Sequence, residues 1–387
     1  MLTSCGPGGP AASPSSAAPT AQCKPLAGTG LAPASGILSG VNLDWERQTL
    51  EQFSAGLGRN PAVTVSFAPF PLGDADRANL QAAFQQVRAN GGILLLTLEP
   101  RTGLAAVTAA VTDELAITLD TFNKAGVPVI VRFAHEMNGS WYEWGQQPAE
   151  YRGAFQRMAE SLHRLAPGSA TMWAPNYGGG YPFAGGQHQA VPGTAAFQEL
   201  DTDKDGALTG NDDPYSPYYP GDDAVDWVGM SLYHWGNTYP WGANVVPEPG
   251  KFLQQLTGTY DGAGGNDLAV PDFYAEYGQL RNKPVAIPET AALFVAGQAG
   301  AAELDIKQAW WRQLFDPSIP EEYPRLKMIN WFEWNKNEVE VKAVVDWRAV
   351  GTPAVADAYT AELPRVVPVR RTANGLHPGL LTIRFRQ

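Results

Sequence analysis

The chain has 387 residues, a formal net charge of −12 and a hydrophobic share of 44%. That acidic balance excludes a nucleic-acid surface, which needs clustered Lys and Arg, and it opposes docking on anionic lipid. No apolar run reaches the length of about 18 residues that a membrane-spanning helix requires.

The opening LTSCGPGGPAASPSSAAPTAQC is rich in Pro, Gly, Ser and Ala, and residues 1–34 read as a flexible linker. Both cysteines, Cys5 and Cys23, fall inside it, so the body has neither a disulfide nor a thiolate metal site. Leu2–Cys5 (LTSC) resembles a bacterial lipoprotein processing box with Cys5 as the lipid-bearing residue, its apolar leader trimmed. The alternative is an ordinary secreted tail in which Cys5 pairs with Cys23. A secreted or surface-attached monomer is expected, without membrane insertion of the body.

From Gly36 the pattern becomes alternating strands and helices. Apolar, β-branched runs predict strands at Gly36–Leu43, Ala62–Pro69, Gly92–Leu98, Val127–Phe133, Ala170–Ala174, Val225–Tyr233, Pro284–Pro288 and Leu326–Trp334. Helical spacing predicts helices at Ala78–Arg88 and Tyr151–Leu165, with stops at Gly126–Pro128 and Ala166–Gly168. Eight strands separated by helices fit a (β/α)8 TIM barrel over residues 35–365, an α/β fold in one domain. A doubly wound open sheet would show a Gly-rich first turn, which GVNLDWE lacks. Residues 366–387 form a C-terminal tail that either adds a short strand or is poorly ordered.

The spacing breaks between the fifth and sixth strands, where a long insertion carries DTDKDGALTGND, Asp201 to Asp212. Asp201, Asp203 and Asp205 occupy positions one, three and five of a twelve-residue calcium loop. Gly206 supplies the sharp turn, Ala207 offers a carbonyl, and Asp212 replaces the usual final Glu. Four carboxylates crowded into twelve residues repel one another unless a cation neutralises them. A structural Ca²⁺ is therefore expected in this calcium-binding insertion, and no organic cofactor.

Polar and aromatic residues cluster where strands end, which in a barrel is the face that carries active sites. His135-Glu136 follows the fourth strand and Glu289 the seventh, so both reach the barrel mouth. Paired carboxylates so placed suit glycoside hydrolysis. The 12 tryptophans, several beside Gly, Asn or charged residues at strand ends, suit platforms for sugar rings. A zinc-protease reading of His-Glu fails, because His-Glu-x-x-His would need a second His where Gly139 stands. No Gly-x-Ser-x-Gly nucleophile elbow occurs.

RFAHEMNGSWYEWG, MWAPN (Met172–Asn176), YYPGDDAVDWVGMSLYHWG (Tyr218–Gly236) and INWFEWN (Ile329–Asn335) resemble, in order, motifs of glycoside hydrolase family 26. The resemblance implies a retaining (β/α)8 glycosidase with Glu136 as general acid/base and Glu289 as nucleophile. It implies further that Tyr233 donates to Glu289 and that His135 orients the site or contacts a sugar hydroxyl. Arg132 is expected to hold the carboxylate network or to be purely structural. Trp334 is expected as the floor under the cleaved sugar, Trp141 as a leaving-group platform, and Asn176 and Trp235 along the groove. Glu99, Asp44 and Glu46 are read as structural, Glu143 as a rim residue, and Glu333 as pointing away from the site. The expected activity is endo-β-1,4-mannanase. β-1,3-Xylanase, mixed-linkage β-glucanase, trimming of the cell's own exopolysaccharide and a non-catalytic polysaccharide-binding barrel stay open.

Overall fold

The computed structural model describes residues 31–262, 267–363 and 382–383. Cys5 and Cys23 lie outside the described residues. Eight parallel strands follow one another in sequence: β1 (Ile37–Leu43), β2 (Val63–Pro69), β3 (Ile93–Glu99), β4 (Val129–Phe133), β5 (Ser169–Trp173), β6 (Trp227–Gly229), β7 (Val285–Thr290) and β8 (Leu326–Glu333). Each pairs with the next, and β1 also pairs with β8, so the sheet closes into a barrel.

The strands are legible because they are buried on both faces. β1, β3, β4 and β5 have every residue buried, so they read as continuous apolar runs without alternation. The helices α1 (Leu50–Leu57), α2 (Asp74–Asn90), α3 (Ala109–Lys124) and α4 (Pro148–Leu165) fill the first four crossovers. α2 buries Leu80, Ala83, Phe84 and Val87 along one stripe, the face the helical spacing predicts. α3 ends at Lys124, just before Gly126 in the left-handed region (φ 91°), a conformation that favours glycine. Between β5 and β6 the insertion contributes the short helix α5 (Ala195–Leu200), and α6 (Lys251–Leu256) precedes a π-helical turn, Tyr274–Leu280. The helices α7 (Glu303–Leu314), α8 (Ile319–Glu322) and α9 (Pro353–Glu362) complete the shell.

β6 is shorter than expected. Only Trp227–Gly229 is regular strand, although pairing continues as irregular contacts, Met230 N to Ala286 O (3.1 Å) and Leu232 N to Glu289 O (3.0 Å). The cause lies in its neighbour. Pro288 lies within β7 and has no N–H to donate, and on the strand's other edge the β7–β8 register shifts between Ile287 and Thr290. Glu289 sits inside that irregularity. A hairpin of β9 (Asn335–Glu338) and β10 (Ala343–Asp346) follows β8 at the mouth. At the opposite end a two-residue strand, β11 (Thr382–Ile383), pairs antiparallel with the start of β1.

Candidate active site

The end of β4 is unusual backbone. Ala134 (φ 47°) and Glu136 (φ 54°) both adopt the left-handed region, which costs of order 1 kcal/mol for each non-glycine residue. Neighbouring strand ends hold them there. Ala134 N donates to Leu98 O (2.8 Å) and Glu136 N to Ala174 O (2.9 Å). The Trp144 indole donates to His135 O (2.7 Å). The Asn and Gly that follow also have local causes. Asn138 exchanges two hydrogen bonds with the backbone of Asn176, tying the loop after β4 to the one after β5. Trp141 lies against Gly139, where an added Cβ would come within 2.4 Å of the indole.

Glu136 and Glu289 meet. One carboxylate oxygen of each, and one ring nitrogen of His135, lie within 4.8 Å of one another. Burial raises Glu136, the Glu289 charge adds to that, and the carboxyl stands at about 7. Glu289 moves the other way. Its burial opposes ionisation, but the Arg132 charge and the hydrogen bonds from Arg132 and the Tyr233 hydroxyl hold it below the usual carboxylate range. Arg132 Nη1 donates to Glu289 Oε1, and Tyr233 Oη donates to Oε2 at 2.7 Å. Arg132 is fully buried, so its side chain belongs to this network rather than to solvent. Two adjacent carboxyls are thereby set to opposite protonation states, the arrangement that acid and nucleophile chemistry needs.

His135 is buried, and that burial, reinforced by Arg132, lowers it to about 3, so the ring is neutral. Phe67 packs edge-on against it at 5.6 Å. His135, Glu136 and Glu289 could in principle ligate a metal, but both Glu289 oxygens already accept hydrogen bonds and the Arg132 cation adjoins them. The donor set fits a proton-transfer pair better than a metal centre.

A cleft of about 580 Å³ opens above the pair. Trp141, Asn176, Tyr233 and Trp235 line it, with Trp141 38% exposed. His135 stands beside the glutamates but is not part of the lining. Trp334 is not among the residues that line the cleft. Phe332, two residues earlier on the same face of β8, lines the cleft, and Trp334 lies parallel to it with centroids 5.6 Å apart. Alternation puts both residues inward, but cannot say which one reaches the substrate. Ser231, Tyr142 and Trp347 also line the cleft and went unread. Ser231 had a signal: it sits two residues before Tyr233 and shares its face.

Glu99, Asp44, Glu333 and Glu143 are not among the residues that line the cleft. Glu99 binds Arg101 at 2.7 Å, and Asp44 accepts from Glu46 N at 3.2 Å. Glu333 points away from the site. Burial raises it too, to about 7, but its oxygens accept from Ala349 N and Val350 N. Glu143 is exposed beside the rim residue Trp141.

In the insertion, Asp201, Asp203 and Asp205 each turn one carboxylate oxygen within 4.8 Å of the others. Gly206 makes the turn at φ 89°. Asp205 N and Gly206 N donate to Asp201, and Ala207 N donates to Asp205. Asp212 stands outside this cluster. Its Oδ1 takes Thr202 N (2.6 Å) and its Oδ2 takes Thr209 N (2.8 Å), so the loop backbone uses both oxygens.

A family model, Glycosyl hydrolase family 26, matches residues 96–174, which include His135-Glu136. Over that segment, 79 of the 387 residues, the chain is similar to glycosyl hydrolase family 26. Endoglucanase H of Acetivibrio thermocellus is 24% identical over 279 residues, covering 70% of this chain. The chain spans only about a quarter (24%) of that relative's length. Two solved structures share the fold. A modular endo-β-1,4-mannanase from Cellulomonas fimi aligns with a TM-score of 0.53 at 18% identity, covering 90% of this chain and 75% of that one. GH26C from Muricauda sp. aligns with a TM-score of 0.51 at 16% identity, covering 85% of each. Glu289 lies beyond the segment that the family model matches.

Proposed function

We propose that this glycoside hydrolase is a retaining, endo-acting β-glycanase, with β-1,4-mannan as its principal substrate. The carrying observation is the glutamate pair, oxygens within 4.8 Å and protonation states set apart. Retaining enzymes hold their carboxyls roughly 5–5.5 Å apart, whereas inverting ones leave about 6.5–9.5 Å for a water. In the first step Glu289 attacks the anomeric carbon while Glu136 gives its proton to the departing glycosidic oxygen. The products are a glycosyl ester on Glu289 and a free aglycone. In the second step Glu136, now ionised, takes a proton from water, the resulting hydroxyl bonds to the anomeric carbon, and the Glu289 carboxylate leaves.

Arg132 and Tyr233 keep Glu289 ionised for attack, and buried, neutral His135 orients the site. Trp141 stacks on the leaving-group side, Asn176 and Trp235 border the groove, and Phe332 takes the floor position once read for Trp334. The mannan reading draws on the Cellulomonas fimi neighbour's activity, and the Endoglucanase H relative favours a β-glucan as the second reading. Reducing-sugar assays on mannan, β-1,3-xylan and barley β-glucan separate these. Proton NMR of the first product should show the β-anomer; an α-anomer at first appearance would refute double displacement.

The aspartate loop is proposed to hold one Ca²⁺ through Asp201, Asp203, Asp205 and the Ala207 carbonyl, all hard oxygen donors. Its role is to stiffen the loop after β5. Residues 1–34 are proposed as a linker that carries a monomeric barrel outside the cell, with Cys5 as its lipid anchor.

A further inference from the structure

Both glutamates depend on one cation. Arg132 Nη1 goes to Glu289, while Nη2 donates to Ser231 Oγ at 2.6 Å. Ser231 is completely buried, and its hydroxyl stands near enough to Glu136 to act on that carboxyl, opposing the rise that burial imposes. Its backbone is pinned as well, with Ser231 N on Pro175 O (3.1 Å) and Tyr177 N on Ser231 O (3.2 Å). A hydroxyl carries a single proton. Because the guanidinium donates into Oγ, that proton is left to donate onward, and the Glu136 carboxyl is the neighbouring group on which it acts.

We propose that Ser231 is a positioning residue for the acid/base, linking Arg132 to Glu136 and selecting which carboxyl oxygen carries the catalytic proton. In a protonated carboxyl, the oxygen that accepts from Ser231 is the carbonyl oxygen. The acidic proton therefore resides on the other one. When Glu136 has released that proton, the same hydroxyl, polarised by Arg132, steadies the new carboxylate. One guanidinium thus supports the nucleophile directly and the acid/base through a single intervening hydroxyl.

The other groups that act on Glu136 are Glu289 on β7, Arg132 on β4 and Lys336 on β9, with Tyr142 and Tyr233 on the loops after β4 and β6. Ser231→Ala leaves all of them in place. It removes a donor from the ionised form of Glu136, so the carboxyl should rise further.

The inference rests on the double-displacement reading, and its test separates the two. The full chain and its Ser231→Ala and Ser231→Thr variants are assayed for kcat/KM across pH. The substrates are the polysaccharide that the wild type hydrolyses and the matching 2,4-dinitrophenyl β-glycoside, whose leaving group needs no proton. Ser231→Ala should lose roughly ten- to a hundredfold on the polymer, the worth of one hydrogen bond to a charged group. Its alkaline limb should move up, the aryl glycoside should lose far less, and Ser231→Thr should keep the wild-type limb. If Ser231→Ala does not fold, Ser231→Cys, a weak donor of similar size, should show the same upward limb. Equal losses on both substrates with an unmoved limb, or no loss at all, would overturn the role. Failure of the underlying reading would look different: Glu289→Ala would then retain activity on the polymer.

Discussion

Replacing Glu289 by Gln removes the negative charge that faces Glu136 while keeping the shape of the side chain. With oxygens within 4.8 Å, a unit charge at an effective dielectric of about 20 is worth roughly 3 kcal/mol, about two pKa units. Arg132, Ser231 and Lys336 pull against it, and burial, the larger cause, stays. Glu136 in Glu289→Gln should therefore drop from about 7 by one to two units, remaining above an ordinary carboxyl. The variant also imitates the covalent intermediate, in which Glu289 is a neutral ester. A fall in Glu136 at that stage would turn the acid of the first step into the base of the second. The assay is a ¹³C NMR titration of labelled glutamate δ-carbons in both proteins, with Glu136→Gln used for assignment. An unchanged Glu136 titration in Glu289→Gln would show that charge coupling between the pair is negligible and would refute the reasoning.

Three further outcomes are expected. Glu136 has a folded pKa of about 7 against 4.5, so the folded state binds more protons between those values and stability falls as pH rises through that window. Glu136→Gln should consequently be the more stable protein above pH 7, by up to about 3 kcal/mol, and no more stable below pH 4.5; calorimetric Tm values that do not diverge with pH would contradict this. Tyr233→Phe deletes the 2.7 Å donor to Glu289 and should cost roughly ten- to a hundredfold in kcat/KM, with the acid limb moving up; an unshifted limb would mean that the phenol does not support the carboxylate. Chelation should lower Tm by several degrees in the wild type but not in Asp203→Asn, since an ion at about a hundred times its Kd stabilises by roughly 2.7 kcal/mol. Equal Tm with and without chelator would remove the cation from the loop.

Much of the barrel was legible because its signals are local. Continuous apolar runs mark strands buried on both faces, and helical spacing with glycine or Ala-Pro stops marks the crossovers. The sixth strand was read too long, because what shortens it is Pro288 on the neighbouring β7, a partner that no window around Trp227 contains. The aspartate loop was readable as a spacing, but the withdrawal of Asp212 follows from backbone donors of Thr202 and Thr209 turning back on it.

For the site, sequence alone determined which carboxylates terminate β4 and β7, and strand order sufficed to bring them to one mouth. It also pointed to Tyr233, which follows β6 and hydrogen-bonds Glu289. What only the tertiary structure decided is the difference between the two glutamates, the presence of Phe332 rather than Trp334 in the cleft lining, and the placing of Ser231 against Arg132. Arg132 and Glu289 are 157 positions apart, and Arg132 and Ser231 are 99 apart. Protonation state depends on burial and on charges a few ångströms away, and only the closing of the barrel creates those distances.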